Sequence, residues 1–300
     1  MLSTHELHKS QVGSAYESEI KDFIALLKPG VMTLVVFTAI VGILLAPGKI
    51  DFFTAIMTVL CTCLGSGASG AINMWYDRDI DKIMTRTAKR PIPSGKIAPH
   101  VVLEFGVCTA FLSVFLMAMC VNYVASAVLL SAILFYVFIY TIWLKRRTPQ
   151  NIVIGGAAGS FPPMIGWAAV TGNVSIESLI LFLIIFMWTP PHFWALAIYK
   201  SDDYKKAGVP MLPVVKGQKS TKLHIFVYAI LMWLTTLVPY YIGMLGVTYF
   251  IAANILGIYF VWGSFKLLKA NNLNYAPKLF GYSILYLFIL YGMMVVDRVF

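Results

Sequence analysis

The sequence predicts an all-α polytopic membrane protein, and three observations support that fold class. Hydrophobic residues make up 59% of the 300 positions and charged residues only 12%, and the mean hydropathy is +0.80. A soluble domain of this size does not require so few charges. Apolar runs of about 20 residues, the length that crosses a bilayer as a helix, recur along the chain. The Lys and Arg residues are concentrated in alternate connections between these runs.

Nine apolar runs are long enough to form membrane-spanning helices. The predicted spans are residues 26–46, 52–72, 101–121, 124–143, 152–171, 178–198, 222–243, 247–268 and 278–296. The turn at Asn122 separates the third run from the fourth, and polar stretches at about 77–99 and 199–221 follow the second and the sixth. We therefore expect nine transmembrane helices around a central cavity that opens toward the cytoplasmic side.

The distribution of positive charge predicts the topology. Twenty-one of the 23 Lys and Arg residues lie in, or at the borders of, the N-terminal segment and the loops after helices two, four, six and eight. Only Lys49 and Arg298 fall on the other side. By the positive-inside rule, the N-terminus and the even-numbered loops are cytoplasmic. The net charge of +10 then reflects topology, and nucleic-acid binding is not indicated because the cations flank apolar spans.

The chain is predicted to consist of a polar cytoplasmic segment, residues 1–25, and a single transmembrane domain, residues 26–300. The first segment has mixed charge and lacks the pattern of a cleavable signal or an organelle transit peptide. A multi-pass protein of a bacterial cytoplasmic (inner) membrane is the expectation that follows.

The most informative stretch begins at Asn73, directly after the second apolar run. Asn73, Asp77 and Asp81 are spaced four apart, so on a helix they share one face. A basic series follows at the same interval: Arg78, Lys82, Arg86 and Arg90. Hard cations such as Mg²⁺ take carboxylate and amide oxygens, and Arg and Lys neutralise phosphate charge. The stretch predicts a diphosphate–Mg²⁺ site; for the carboxylates alone, a solvated helix end is the alternative.

A second polar stretch ends helix six. Trp188, His192, Tyr199 and Asp203 follow the spacing of one helical stripe. Asp203 would lie at the cytoplasmic end of helix six, as the first motif does on helix two, and the two ends could bracket a metal-bound diphosphate. The alternative is a solvated surface in which the carboxylates pair with neighbouring lysines.

His192 precedes Asp203 by eleven residues, which places it about 16 Å deeper by helical rise. An ionisable residue at that depth is by default a functional candidate. A neutral histidine hydrogen-bonded to a neighbouring helix is the alternative. A third basic group, Lys145-Arg146-Arg147, ends helix four on the same side; topology alone accounts for it, although it could also reach a phosphate.

The spacing Asn73-x₃-Asp77-x₃-Asp81 resembles the first motif of the UbiA-type intramembrane prenyltransferase superfamily. Within it, the closest resemblance is to the branch that farnesylates haem. The supporting segments are Lys28-Pro29-Gly30, Thr85-Arg86-Thr87, Arg90–Gly95, Lys145–Ile152, Pro191-His192-Phe193, Asp203-Tyr204 and Val209–Val214. Quinone-type members usually carry a second aspartate four residues after the first in their second motif. This chain has Ala207 there, a departure that favours the haem branch and leaves the role of Asp202 open.

The resemblance implies a Mg²⁺-dependent transfer of farnesyl from farnesyl diphosphate to a vinyl group of haem B, with addition of water, giving haem O. The implied metal ligands are Asn73, Asp77, Asp81 and Asp203. The implied phosphate contacts are Arg86, Arg90, Lys145 and Lys200. His192 would bind haem B, the substrate, through its iron or a propionate. Membrane lipid, a haem-delivery protein and a haem A synthase are the expected partners.

Two other functions remain open from the sequence. The first is prenyl transfer to another acceptor, such as a quinone precursor or a chlorophyllide. The second is transport of an anionic substrate, for which charged residues at mid-bilayer would be expected. Here the charged residues cluster at the cytoplasmic helix ends, which favours the enzyme.

Overall fold

The computed structural model describes residues 18–300, and within that range the chain forms helices and no strands. Eight of the described helices are long and apolar enough to cross a membrane. A ninth, Pro29–Leu45, reaches that length only when it is counted with the short helix Ile20–Leu26, from which it is bent by 54°. We number them α1 Pro29–Leu45, α2 Phe52–Tyr76, α3 Pro99–Cys120, α4 Tyr123–Leu144, α5 Asn151–Thr171, α6 Ile176–Tyr199, α7 Gly217–Tyr241, α8 Val247–Lys269 and α9 Tyr275–Val299. The predicted all-α polytopic class is confirmed.

Several helices extend beyond their apolar runs, and two show why. Helix α2 continues to Tyr76, beyond the predicted residue 72, and α7 begins at Gly217 instead of residue 222. Polar residues at a membrane surface end an apolar run without ending the helix. Lys222, for example, lies inside α7 and donates from Nζ to the carbonyl of Ala270, 2.8 Å away. Of the predicted polar segment 1–25, residues 1–17 lie outside the described residues, and Ile20–Leu26 is helical.

The turn at Asn122 does separate two helices. Its side-chain oxygen accepts from the backbone of Ala125 at 2.8 Å and so caps the start of α4. Its amide nitrogen donates to the carbonyls of Ala168 and Ala169, at 2.9 and 3.1 Å, near the end of α5. One side chain thus ends the α3–α4 connection and attaches it to a third helix.

The second half of α4 is a π-helix, Phe135–Leu144. Its hydrogen bonds join residues five apart, so positions five apart share a face, whereas an α-helix aligns positions three and four apart. Thr141 therefore contacts Asn73 of α2, and Tyr136, five residues earlier, contacts Lys28, whose amine reaches the same Asn73. The bond from the backbone N–H of Lys145 to the carbonyl of Tyr140, at 2.9 Å, continues this pattern to the start of the loop.

Contacts between loops bring the ends of α2, α4 and α6 together at one end of the bundle. Short helices Arg78–Ile83 and Ser201–Lys206 lie in the loops after α2 and α6, and Leu212–Val215 precedes α7. A cavity of about 570 Å³ lies at the opposite end, beside Glu177 and Arg298. The central cavity that the sequence predicts to open toward the cytoplasm stays a prediction.

Helices α1 and α5 approach closely because each presents a glycine to the backbone of the other. A Cβ atom on Gly42 would lie 2.1 Å from the carbonyl oxygen of Pro163, and one on Gly166 would lie 2.1 Å from that of Ala39. Real side chains never come so near to backbone, so no substituent fits without separating the helices. Small residues at helix contacts are the usual means of close packing in membranes.

We predict that Gly166→Ala lowers the free energy of unfolding by about 1–3 kcal/mol, the range for overpacked interiors, because the added methyl meets rigid backbone. Thermal unfolding of the detergent-solubilised protein measures this. Gly292→Ala in α9 is the matched control, because nothing lies within 4 Å of a Cβ atom there. Equal unfolding temperatures for the two variants would show that the α1–α5 contact has room for a methyl group, contrary to this prediction.

Candidate active site

The end of α2 carries a buried polar stripe formed by Asn73, Asp77 and Asp81. Their exposed fractions are 3%, 0% and 1%. Although α2 ends at Tyr76, the backbone N–H of Asp77 donates to the carbonyl of Asn73 at 2.9 Å, and that of Asp81 donates to the carbonyl of Asp77 at 2.8 Å. The hydrogen bonds thus cross the junction, and the three side chains remain on one face, as predicted from their spacing.

Each buried carboxylate is paired with cations from another part of the chain. Asp77 forms an ion pair with Lys145, at the end of α4. Arg146 contributes Nη2 at 3.3 Å from the same carboxylate. Asp81 is paired with Arg90, whose Nη1 lies 2.6 Å away. A buried charge without a partner is strongly destabilising, so these pairs are the condition under which the carboxylates are buried at all.

Most of the basic series predicted beside the acidic stripe does not reach it. Arg78, Lys82 and Arg86 are exposed, and Arg78 donates to the carbonyl of Trp75 at 2.7 Å. Arg78 and Lys82 point elsewhere because a one-residue offset turns them about 100° round the helix; Arg86 lies beyond the end of that helix at Ile83. Arg90 reaches Asp81 only because the chain folds back after the short helix Arg78–Ile83.

Arg146 is held in place by a carboxylate that the sequence analysis did not single out. Asp79 accepts from both Nη atoms of Arg146, at 2.7 and 2.6 Å, in a bidentate pair. These hydrogen bonds lower the pKa of Asp79 to about 2. The guanidinium also lies over the ring of Tyr76, 5.0 Å from its centre. Arg146 therefore has a fixed orientation beside Asp77.

Asp203 belongs to the same end of the bundle but not to the buried stripe. Helix α6 ends at Tyr199, and the separate helix Ser201–Lys206 carries Asp203, so the helical stripe expected from Trp188 to Asp203 is interrupted at Lys200. Thr85 donates to the carboxylate of Asp203 at 2.5 Å, which links this helix to the loop that follows the acidic motif. Position 207, four residues on, is a buried alanine.

Lys200, a predicted phosphate contact, lies against an exposed aromatic ring. Its Nζ is 4.6 Å from the ring centre of Tyr199, and Tyr199 is 52% exposed. His192 and Trp188, by contrast, are buried. Tyr199 therefore does not share the buried face of Trp188 and His192, with which it was predicted to form one stripe.

His192 is buried between two aromatic rings. Its ring stacks on Trp188 with centroids 4.2 Å apart and on Phe280 at 4.7 Å. Its Nδ1 lies 2.6 Å from Oγ of Ser283 in α9, and Trp188 donates to the carbonyl of Ser283 at 2.8 Å. These contacts match the alternative of a hydrogen-bonded histidine, and they leave Nε2 as the nitrogen available to a ligand.

The sequence analysis missed several residues that complete the site. Lys28 donates to the side-chain oxygen of Asn73 at 3.1 Å. Thr141 accepts from the amide nitrogen of Asn73 at 3.2 Å. Lys28 and Thr85 lay inside segments that carried the family resemblance, but Thr141 gave no signal because it lies in an apolar run.

The arrangement suits an anion that brings its own metal ion. Buried carboxylate and amide oxygens are hard ligands, and they alternate with Arg and Lys groups that can bind phosphate oxygens. Within residues 18–300, no group of three or more His, Cys, Asp and Glu side chains is close enough to hold one metal ion. Asp203 is connected to the acidic stripe through Thr85 and the loop, not directly.

Comparison with known proteins shows the family to which the chain belongs. The model of the UbiA prenyltransferase family matches residues 35–290. The chain is 55% identical to a protoheme IX farnesyltransferase from Parvibaculum lavamentivorans over 282 residues, which cover 93% of this chain and 89% of the relative. It is 50% identical to a protein of the same name from Rhizobium rhizogenes, covering 99% and 95% of the two chains.

Two solved structures share the fold. A digeranylgeranylglyceryl phosphate synthase superposes with a TM-score of 0.78 at 22% identity, covering 93% of this chain and 98% of the other. A UbiA homologue from Archaeoglobus fulgidus, bound to GPP and Mg²⁺, superposes with a TM-score of 0.63 at 16% identity, covering 91% and 99%. At these identities the likeness concerns the fold.

We predict that Arg90→Met lowers the free energy of unfolding by about 3–5 kcal/mol, because it leaves the carboxylate of Asp81 buried without its cation. Thermal unfolding measures the change, and the double variant Arg90→Met/Asp81→Asn should recover part of it. Lys21→Met is the control: Lys21 pairs with Glu19 at 2.8 Å and the two side chains are 67% and 64% exposed, so its loss should have little effect on stability. An equal loss of stability in Arg90→Met and in the control would mean that the burial of Asp81 does not depend on Arg90.

Proposed function

Because the chain belongs to the UbiA prenyltransferase family, we propose that it transfers the farnesyl group of farnesyl diphosphate to a vinyl group of haem B. The acceptor is inferred from relatives at 50–55% identity that are named protoheme IX farnesyltransferase and align over nearly the whole chain. The absence of an aspartate at position 207 supports the same choice.

One observation carries the proposal for the donor: two fully buried carboxylates, Asp77 and Asp81, are surrounded by Lys145, Arg146 and Arg90. A metal diphosphate fits this set, since the metal can take the carboxylates while the phosphate oxygens take the cations. No buried charge would then be left without a partner. A transporter of anions would not need carboxylates among its cations.

We propose Asn73, Asp77, Asp81 and Asp203 as the residues that would hold Mg²⁺. The oxygen-only donor set is the one that this ion prefers. When bound, Mg²⁺ would neutralise charge on the departing diphosphate. Among the proposed phosphate contacts, Arg90 and Lys145 have the strongest support because they already pair with the acidic stripe. Arg86 and Lys200 could take part only by turning toward it.

The proposed reaction begins with cleavage of the allylic C–O bond, and the electron pair leaves with the diphosphate. Arg90, Lys145 and Arg146 stabilise that negative charge by hydrogen bonds, which makes the step mainly electrostatic. The terminal vinyl carbon of haem B then bonds to the allylic carbon. The positive charge moves to the vinyl carbon next to the porphyrin, where water adds and loses a proton. The product is hydroxyethylfarnesyl haem, that is, haem O.

The acceptor side of the proposal rests on His192. Its Nδ1 is engaged by Ser283, so a bond to haem iron would use Nε2, and Ser283 would fix the orientation of the ring. A hydrogen bond from Nε2 to a propionate is the other alternative, and it requires the ring to be protonated at both nitrogens, because Ser283 donates to the carbonyl of Phe280 and so accepts from Nδ1. In either case Trp188 and Phe280, which stack on the imidazole, would confine it.

The proposed setting is a bacterial inner membrane, with the N-terminus, residues 1–25, and the even-numbered loops in the cytoplasm. Residues 26–300 would form one domain, in contact with lipid. The named relatives come from bacteria, and their activity makes a haem donor and a haem A synthase reasonable partners.

A competition assay tests the acceptor. The purified protein is given farnesyl diphosphate and Mg²⁺ with equal amounts of haem B and 4-hydroxybenzoate, and the products are separated and weighed by mass spectrometry. We expect farnesylated, hydrated haem only. Product on the aromatic acid alone would refute the haem assignment while leaving prenyl transfer intact.

We predict that Asp203→Asn reduces turnover by about 100-fold or more, the loss expected for a group that stabilises developing charge. Asp202→Asn is the matched control, because Asp202 is the adjacent carboxylate and is exposed; its turnover should stay within about twofold. Steady-state kinetics at saturating substrates measure both. The reverse order of effects would assign the role to Asp202.

For His192 we predict that His192→Ala shifts the absorption spectrum of the haem complex and weakens haem binding by about 10-fold or more. Ser283→Ala should weaken binding less, since it removes only the orientation of the ring. Titration of haem B followed by difference spectroscopy measures both variants. A spectrum unchanged in His192→Ala would exclude iron ligation by this residue.

A further inference from the structure

Lys28 combines an unusual backbone conformation with a contact to the acidic motif. It lies between the short helix Ile20–Leu26 and α1, with φ of 54° and ψ of 60°. Among residues 18–300 it is the only non-glycine residue with a positive φ. Residues with a Cβ atom rarely adopt this left-handed conformation. Where it persists, the surrounding structure enforces it, often at a functional site.

The side chain of Lys28 crosses the surface of α2 to reach Asn73. Its Nζ donates to Oδ1 of Asn73 at 3.1 Å and lies 3.5 Å from the hydroxyl of Tyr136. Gly70 makes room for the path: a Cβ atom there would lie 3.2 Å from Cδ and 3.3 Å from Cε of Lys28. The backbone turn and the missing side chain together direct the amine to this one amide.

The contact decides how Asn73 is oriented. The ammonium group of lysine only donates, so the amide oxygen of Asn73 faces it. The amide nitrogen then points the other way and donates to Oδ2 of Asp77 at 2.6 Å and to Thr141 at 3.2 Å. Asp77, which only accepts, receives a donor on the oxygen that also pairs with Lys145. The chain Lys28–Asn73–Asp77 is thus a continuous series of hydrogen bonds in one direction.

We propose that Lys28 is a positioning residue of the donor site, which holds the amide of Asn73 so that its nitrogen supports the carboxylate of Asp77. The inference deepens the proposed function and rests on it only in naming the diphosphate as ligand. It also sharpens the role of Asn73: the oxygen that would ligate a metal is shared with Lys28, and its nitrogen orients Asp77.

The test is a double-mutant cycle with Lys28→Met, Asn73→Ala and the double variant, measured by the Mg²⁺ dependence of farnesyl transfer. Lys28→Met should raise the Mg²⁺ concentration for half-maximal activity by about 10-fold or more, the usual effect of removing a residue that orients a metal ligand. The KM for haem B should not change. In the Asn73→Ala background the same substitution should have little further effect, because the two residues act in series.

Two further variants separate this role from a structural one. Lys28→Arg should restore the Mg²⁺ dependence to within about threefold, since it keeps a donor at this position. Lys21→Met, at an exposed lysine paired with Glu19, should behave as wild type. If Lys28→Met does not fold, Gly70→Ala displaces the lysine stem with the amine intact and should raise the Mg²⁺ requirement by a smaller factor.

Additive effects in the cycle, or an unchanged Mg²⁺ dependence in Lys28→Met, would overturn the inference. If the wild-type protein transfers no farnesyl group to haem B, the proposed function fails but the inference can still be tested. The readout is then Mg²⁺-dependent binding of farnesyl thiodiphosphate, measured by calorimetry on the same four proteins. Additive effects of the Lys28 and Asn73 substitutions on that binding would again contradict the proposed role of Lys28.

Discussion

The burial of Asp77 and Asp81 is the constraint on which the rest of this structure depends. A carboxylate withdrawn from water is stable only with a cation beside it and hydrogen bonds to its remaining oxygens. Asp77 is paired with Lys145 and Arg146 from the end of α4. Asp81 is paired with Arg90 from the loop between α2 and α3. Lys145 and Arg146 are distant from Asp77 in sequence, so their pairs fix the end of α4 relative to the end of α2, while the Asp81–Arg90 pair folds the loop after α2 back onto the acidic stripe.

The helices supply the geometry that these pairs require. The π-helical half of α4 places Thr141 against Asn73 of α2 and Tyr136, five residues earlier, beside Lys28; a regular α-helix would not align two positions five apart. Glycines permit the close approaches, as at Gly42 and Gly166 between α1 and α5. The polar site therefore depends on the apolar packing, because small residues and an irregular helix bring charges from separate elements into a single cluster.

Much of this was predictable from the sequence, for identifiable reasons. The lengths of the apolar runs predict the spanning helices. The four-residue spacing of Asn73, Asp77 and Asp81 predicts that their side chains share one face, because this follows from local helix geometry. The loop contacts were not predictable in the same way. Arg90 and Arg86 look equivalent in the sequence, yet only Arg90 reaches a carboxylate, since the direction of the chain after Ile83 depends on tertiary packing. Likewise, nothing local distinguishes Thr141 from its apolar neighbours.

The proposed chemistry depends most directly on binding of a divalent metal together with a diphosphate by the cluster around Asp77. Mn²⁺ prefers the same oxygen ligands as Mg²⁺ and can be observed by electron paramagnetic resonance. With farnesyl diphosphate present, we predict Mn²⁺ bound to the protein with hyperfine coupling to phosphorus, and loss of that signal in Asp77→Asn. A phosphorus-coupled Mn²⁺ signal that is the same in wild type and Asp77→Asn would contradict the account.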